Sequence, residues 1–304
     1  VTKPGAAGLC IFRTRTDLTP FHLIAFAASF AMVGICSALA IGAGSNPLTV
    51  VTVRAAETVV LLLAWFRFAG VGLAISSGDV ARAFVVAMPL TLNNYMLNAA
   101  FGLIPVPLAV LIFYLWPAIS TVASWLLRRD RFRAKAAAGL VLAFAGIALA
   151  LNVEFTSAQA RGVWLAAGAS VTWSVAFILM GQFFEGRDTR PATFYANMVA
   201  LAVFVSACLI TGELRLPESM LGWTGLAGVG FFYSFASIGL FAATARIGPM
   251  RCGFYMNFEP IAAVLLAALL LGQTLAPVQL AGAALVICAL FLFRSGPALP
   301  SRRS

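Results

Sequence analysis

Ile104–Leu151 reads IPVPLAVLIFYLWPAISTVASWLLRRDRFRAKAAAGLVLAFAGIALAL, and Ile247–Arg294 reads IGPMRCGFYMNFEPIAAVLLAALLLGQTLAPVQLAGAALVICALFLFR. A shift of 143 residues lays one on the other without a gap. Pro117 then falls on Pro260, Leu126 and Leu127 on Leu269 and Leu270, and Gly139 on Gly282. The differences say more than the identities. The basic loop RRDRFRAK (128–135) falls, to within one residue, on the uncharged loop GQTLAPVQ (272–279), whereas the uncharged FGLIPVP (101–107) falls likewise on the basic ARIGPMR (245–251). Lys and Arg accumulate on the cytoplasmic side of a membrane protein. Equivalent loops that trade charge therefore belong to copies that enter the bilayer from opposite sides. This is the sequence sign of an inverted-topology repeat, a plan that transporters use for alternating access about a midplane site.

Working outward, 62% of the 304 residues are hydrophobic and only 10% are charged. A soluble domain carries about 25% charged residues, so lipid is expected to be the main solvent. At about 20 apolar residues per span, the length accommodates ten helices and short loops. The apolar runs are Pro20–Gly42, Leu48–Phe68, Ala81–Ala100, Pro107–Leu127, Ala134–Asn152, Gly162–Phe184, Ala192–Thr211, Leu221–Ala243, Pro249–Leu271 and Pro277–Phe293. With the N-terminus in the cytoplasm, seventeen of the 20 Lys and Arg fall on the inner side. Arg161 and Arg215 fall outside, and Arg54 lies within the second span. The expected fold is an all-α integral membrane protein of ten transmembrane helices in two inverted five-helix repeats. Residues 20–152 and 162–293 form the repeats, between cytoplasmic tails 1–19 and 294–304.

The net charge of +10 does not indicate nucleic acid, because the basic residues sit in short gaps between apolar runs and orient the helices. The five cysteines are scattered without metal-ligand or disulfide spacing. The first apolar run is too long for a signal-peptide core and reads as a retained helix. No GxxxxGK loop supports nucleotide-driven pumping. A single histidine, His22 at the edge of the first span, and three buried charges make a poor catalytic set. No enzyme activity, cofactor or metal is expected.

Charges inside a membrane are costly and tend to be functional, and Arg54, Glu57 and Glu259 are the three that lie deep. Arg54 and Glu57 stand at i and i+3, share a helix face and are placed to pair. Glu57 and Glu259 each lie roughly 15 Å from a span end at 1.5 Å per residue, near the midplane of a core about 30 Å thick. Two carboxylates against one guanidinium leave one without a partner charge. That group is open to neutralisation by a proton or by the amine of an amino-acid-like cargo. The structural alternative has Glu57 neutralise Arg54 while Glu259 caps backbone freed by Pro260.

In the third span TLNNYMLN sets Asn94 and Asn98 on one face with Tyr95 beside them. These amides either tie neighbouring helices or line a polar cavity. Tyr114, Trp116, Trp173, Tyr233, Tyr255 and Asn257 add aromatic and amide character at interior depth. Together with the three asparagine-segment residues they form the candidate substrate-binding set, since aromatic walls with few charges suit an amphipathic organic molecule. Pro117 and Pro260 each remove a helical hydrogen bond and mark paired bends beside the centre. Gly139, Ala143 and Gly146 form a small-residue stripe for close helix contact, within the fold or between protomers.

FYLWPAIS, MNFEPIAAVLLAALLLGQTL, VTVRAAETVVLLLAW and GVWLAAGASVTWSVAFILMGQ, in this order and spacing, resemble the drug/metabolite transporter superfamily and its ten-helix EamA-like members. The resemblance covers roughly Thr19 to Phe293. It implies a secondary transporter of a bacterial cytoplasmic (inner) membrane, exporting small organic metabolites, amino acids or drugs. Arg54 matches a recurrent Arg of that family. The family's Glu-Pro stands only at Glu259–Pro260, with Trp116–Pro117 in the first half, and Gln273 replaces a frequent Glu. The expected partners are a small organic substrate, protons and the lipid bilayer, with the chain a monomer or homodimer. An exchanger of phosphorylated metabolites or nucleotide sugars is the alternative transporter, and it should need several buried Lys or Arg where only Arg54 is found. A membrane receptor or structural protein is the alternative outside transport.

Overall fold

The computed structural model describes residues 20–126 apart from 71 and 75, eight positions within 138–149, residues 157–184, 189–247, and 255–294 apart from 274. The tails, the basic loop 128–135 and much of the expected fifth span lie outside the described residues. The described elements are α1 (Pro20–Gly42), α2 (Pro47–Ala69), α3 (Ser77–Phe101), α4 (Val106–Phe113), α5 (Trp116–Leu126), α6 (Ser157–Phe184), α7 (Thr189–Thr211), α8 (Met220–Ile247), α9 (Glu259–Leu271) and α10 (Pro277–Arg294). No strand occurs among the described residues. Five helices are long and apolar enough to cross a membrane: Pro20–Gly42, Pro47–Phe68, Ser157–Phe184, Arg190–Thr211 and Met220–Leu240.

Local chemistry sets the helix ends. Asn46 caps α2 by accepting the Thr49 N–H at 2.8 Å, and it ties the cap to the Glu213 carbonyl at 2.7 Å through Nδ2. Ser76 caps α3 through Asp79 N–H. Gly70 and Gly272 end α2 and α9 at φ of +63°, the left-handed conformation that glycine adopts without penalty.

The expected fourth span, Pro107–Leu127, is not one continuous helix. It breaks at Tyr114–Leu115 into α4 and α5, and the ninth span breaks at Asn257–Phe258 before α9. Proline explains why each break lies just upstream of it. Pro lacks the N–H that would bond the carbonyl four residues back, and it biases the preceding backbone away from the helical region. At the second position of a new helix neither defect costs a bond within that helix, although the carbonyl four residues back needs another donor. The two breaks carry matching hydrogen bonds: Leu115 N–H to Ile112 O at 3.1 Å and Ile119 N–H to Leu115 O at 3.0 Å, against Phe258 N–H to Tyr255 O at 3.1 Å and Ala262 N–H to Phe258 O at 2.9 Å. Each pair is offset by the same 143 residues as the sequence repeat.

Apolar side chains lie both inside and on the outer face. The interior is rich in alanine and serine, with Ala27, Ala31, Ala87, Ala109, Ala166 and Ser170 all close to fully buried, whereas Val60, Phe68, Leu209, Ile210 and Leu269 face outward. Small residues let helix backbones approach closely, which is what holds a bundle together when the surrounding solvent is as apolar as the core. Helix α1 packs along α8 and α3 along α6; α2 packs on α8 and α3 on α7; and α2 meets α7. Of the small-residue stripe, Gly139, Ala143 and Gly146 are buried. A Cβ at Gly146 would stand 2.7 Å from the Gly282 carbonyl oxygen of α10. The stripe is therefore used within the chain, against α10.

Candidate functional site

Helices α1, α3, α6, α7 and α8 line a partly open cavity of about 230 Å³. Its wall is aromatic and aliphatic, with Phe30, Trp173, Phe177 and Tyr233 among the rings. Asn94, Thr193, Asn197 and Ser237 supply the polar groups. Apolar walls with a few converging polar groups are the usual composition of a small-molecule site. Trp173 adds an indole N–H that is buried without a hydrogen-bond partner.

The candidate residues distribute around this cavity unevenly. Asn94, Trp173 and Tyr233 line it. Trp116 stands behind the wall, with its ring 5.0 Å from Phe177 and 6.4 Å from Trp173. Asn98 is buried and serves helix contact instead: it accepts the Ser37 hydroxyl of α1 at 2.7 Å and donates to the Asn94 carbonyl. Its neighbour Asn93 likewise donates to Ala169 O of α6 at 2.8 Å. Tyr95, 40% exposed, points away from the cavity. Tyr255 packs with Leu23, Phe26 and Ala243 near the second break. Asn257 sits in that break, buried, with its Nδ2 unpartnered.

The expected ion pair between Arg54 and Glu57 does not form. Both side chains turn toward α8, and the Arg54 guanidinium lies 4.3 Å over the face of the Tyr233 ring. Arg54 is only 2% exposed, and its Nε has no hydrogen-bond partner. The Glu57 carboxylate lies against Gly230, where any Cβ would overlap it, and its Oε2 is also unpartnered. A shared helix face was the right inference from i, i+3 spacing; the neighbouring helix, invisible in that spacing, draws the two charges apart.

Glu259 does not cap the carbonyl that Pro260 frees. That carbonyl belongs to Met256, and Tyr114 reaches it from the first break, with Oη 2.8 Å from Met256 O and 2.8 Å from Glu259 Oε2. Pro117 is half-buried and Pro260 buried, each at the head of its new helix. From Tyr114 the rings of Phe113 and Trp173 follow at centroid spacings of 5.9 Å, so the junction of the two breaks is linked to the cavity wall through packed aromatics.

Sequence reading missed Asn197, Thr193, Phe30 and Phe177. Asn197 carried a usable signal, since it is a lone amide in the apolar run TFYANMVALAVF, the same feature that marked Asn94. The two phenylalanines carried none, because a ring in an apolar span looks the same whether it faces lipid or a cavity.

Comparison with known proteins bears on this arrangement. The chain is 30% identical over 161 residues to the threonine/homoserine exporter RhtA of Escherichia coli (strain K12), covering 49% of this chain and 51% of that protein. It is 29% identical over 175 residues to the threonine/homoserine exporter RhtA of Salmonella typhimurium (strain LT2), covering 54% and 55%. The chain thus spans about half the length of the curated relatives it matches. A solved crystal structure shares the fold at a TM-score of 0.62 and 19% identity, over 89% of this chain and 95% of that one. The EamA-like transporter family matches twice, over residues 19–152 and 160–295. With both halves of the sequence matched in tandem, the chain belongs to the EamA-like transporter family and is an integral membrane protein.

Proposed function

We propose that this protein is a secondary exporter of a small, amphipathic, amino-acid-like metabolite, working by alternating access in a bacterial cytoplasmic membrane with both termini on the cytoplasmic side. Residues 20–152 and 162–293 form its two inverted five-helix halves, and the cavity between α1, α3, α6, α7 and α8 is the substrate site. The packing supports this reading. Exchanging the halves turns the α1–α8 contact into α6–α3 and the α2–α8 contact into α7–α3, while α2–α7 maps onto itself. The cavity sits where these exchange-related pairs cross, so both halves contribute to one wall.

The observation that carries the substrate class is the cavity itself. At about 230 Å³ it falls below the roughly 300–1,000 Å³ of drug-sized sites, and its polar groups are amides and hydroxyls. A short amino acid fits these terms better than a multidrug cargo. The names of the curated relatives support the same class. A phosphorylated cargo would need several buried cations, and Arg54 is the buried basic side chain among the described residues.

Coupling to protons is assigned to Glu259. The Tyr114 hydroxyl has one hydrogen and faces two acceptor oxygens, Met256 O and Glu259 Oε2. When Glu259 holds a proton, it donates to Tyr114 while Tyr114 donates to Met256, and every oxygen is served. When it does not, the hydroxyl must choose, and the carbonyl that Pro260 left bare loses its partner. A proton on Glu259 thereby acts on the bend of the ninth span. The test is counterflow of labelled threonine into proteoliposomes of purified protein preloaded with unlabelled threonine. Saturable uptake is expected, and its absence across a panel of short amino acids would discard the reading.

A further inference from the structure

On α2, two opposite charges lie one helical turn apart and leave each other alone. We propose that Arg54 and Glu57 form a zwitterion-binding site, with Arg54 receiving the carboxylate of an α-amino acid, Glu57 its ammonium group, and Tyr233 the partition between this site and the cavity. The inference deepens the exporter reading and rests on it.

Three observations carry it. Side chains at i and i+3 have Cβ atoms about 5–6 Å apart, so a direct ion pair was within reach, yet none forms. Arg54 is 2% exposed, the ring face of Tyr233 lies 4.3 Å from its guanidinium carbon, and its Nε has no hydrogen-bond partner. A buried guanidinium with an unused Nε–H donor is suited to a carboxylate oxygen. Glu57 Oε2 is buried and unpartnered as well, and the missing side chain at Gly230 is what gives its carboxylate room against α8.

Access follows from Tyr233. Its ring covers Arg54 and also lines the cavity, where Phe30 meets it edge-on at 6.0 Å. The charged site is therefore one ring away from the cavity, and a rotation of that side chain joins them. The ligand class is narrow. An α-amino acid carries its two opposite charges on groups attached to one carbon, so a single small molecule can answer two side chains that share a helix face. A phosphorylated metabolite would bring its negative charges against Glu57, and an uncharged molecule would leave both residues unanswered.

The experiment compares three probes in counterflow with the purified full chain: threonine, threonine amide, which lacks the carboxylate, and N-acetylthreonine, which lacks the ammonium. Wild type is expected to prefer threonine over each derivative by about tenfold or more, the loss typical of unpairing a buried charge. Arg54→Gln should lower threonine to the level of the amide and leave the amide unchanged. Glu57→Gln should do the same with respect to N-acetylthreonine. A purely structural role would depress all three probes together and overturn the proposal. The variants are compared only where thermal unfolding shows them folded, and the wild-type ranking of the three probes tests the proposal without any variant. Threonine flux without preference over its amide overturns the zwitterion site alone, whereas no flux of any probe overturns the exporter reading beneath it.

Discussion

The Tyr114 hydroxyl stands in for the N–H that Pro260 lacks. In an unbroken helix residue 260 would donate to the carbonyl of Met256; here Tyr114 Oη lies 2.8 Å from that oxygen, arriving from the matching break of the other repeat. A polar group left bare inside a membrane costs several kcal/mol, so Pro260 is tolerable because Tyr114 of the first break covers the carbonyl it frees. The arrangement also puts Glu259 on the same hydroxyl, which joins a backbone repair to an ionisable group.

Removing the hydroxyl should expose this dependence. Tyr114→Phe keeps the ring contact with Phe113 and deletes the bond, with an expected loss of about 1–3 kcal/mol, the cost of leaving a buried acceptor unsatisfied. Pro260→Ala in that background restores the missing N–H. The double variant should be less destabilised than the sum of the singles, a coupling that a double-mutant cycle of thermal unfolding in detergent reads directly. Additive losses would mean that Tyr114 does not serve the Met256 carbonyl.

Glu259→Gln keeps the shape and an oxygen for Tyr114 while removing the titrating group. The folded variant should reach the membrane at normal levels, and its flux should lose its response to an imposed pH gradient. Wild-type export should quicken as the receiving side is acidified, since a proton moving inward drives cargo outward. Proteoliposome flux at two gradients decides the matter. An unchanged pH response in the variant rules Glu259 out as the coupling site.

Asn94 and Asn98 of α3 should separate by phenotype. Asn98→Ala breaks the tie to Ser37, and interhelical hydrogen bonds in membranes are worth about 0.6 kcal/mol on average; a small loss of thermal stability with little change in KM is expected. Asn94→Ala removes a cavity group and should raise KM with stability held. The reverse assignment would show that the cavity wall is wrongly drawn.

That split illustrates what a sequence can and cannot reveal here. The repeat and the loop charges could be read because they depend on composition along the chain. Arg54, Glu57 and Glu259 could be singled out because a charge in an apolar run is conspicuous. Their partners could not, because Tyr233, Gly230 and Tyr114 come from distant segments. Periodicity places a side chain on a face of its own helix and says nothing of which helix lies opposite. The breaks ahead of Pro117 and Pro260 were half legible, since proline marks a defect but the turn that absorbs it falls upstream.

The close seat of Glu57 gives a further test. Any Cβ at Gly230 overlaps the Glu57 carboxylate, so Gly230→Ala must push α2 from α8 or force Glu57 out of its place. Overpacking of this kind costs typically 1–3 kcal/mol. Glu57→Ala vacates the space, and Gly230→Ala combined with it should unfold close to the Glu57→Ala temperature. Substitution at Gly230 with no thermal penalty in the presence of Glu57 would place that carboxylate elsewhere.

The inverted arrangement itself is open to a direct experiment. Cysteines placed singly in RRDRFRAK (128–135) and in GQTLAPVQ (272–279), in a background free of native cysteine, should react with a membrane-impermeant maleimide from opposite sides of the bilayer. The basic loop should label only in inside-out vesicles and the uncharged loop only in intact cells. The prediction follows from charge: five basic residues in the first loop against none in the second leave the two with opposite preferences for the cytoplasmic face. An even number of spans between them would put both on one side. Labelling of both loops from the same side would break the relation between the halves, and with it the argument that the cavity is shared between two antiparallel copies.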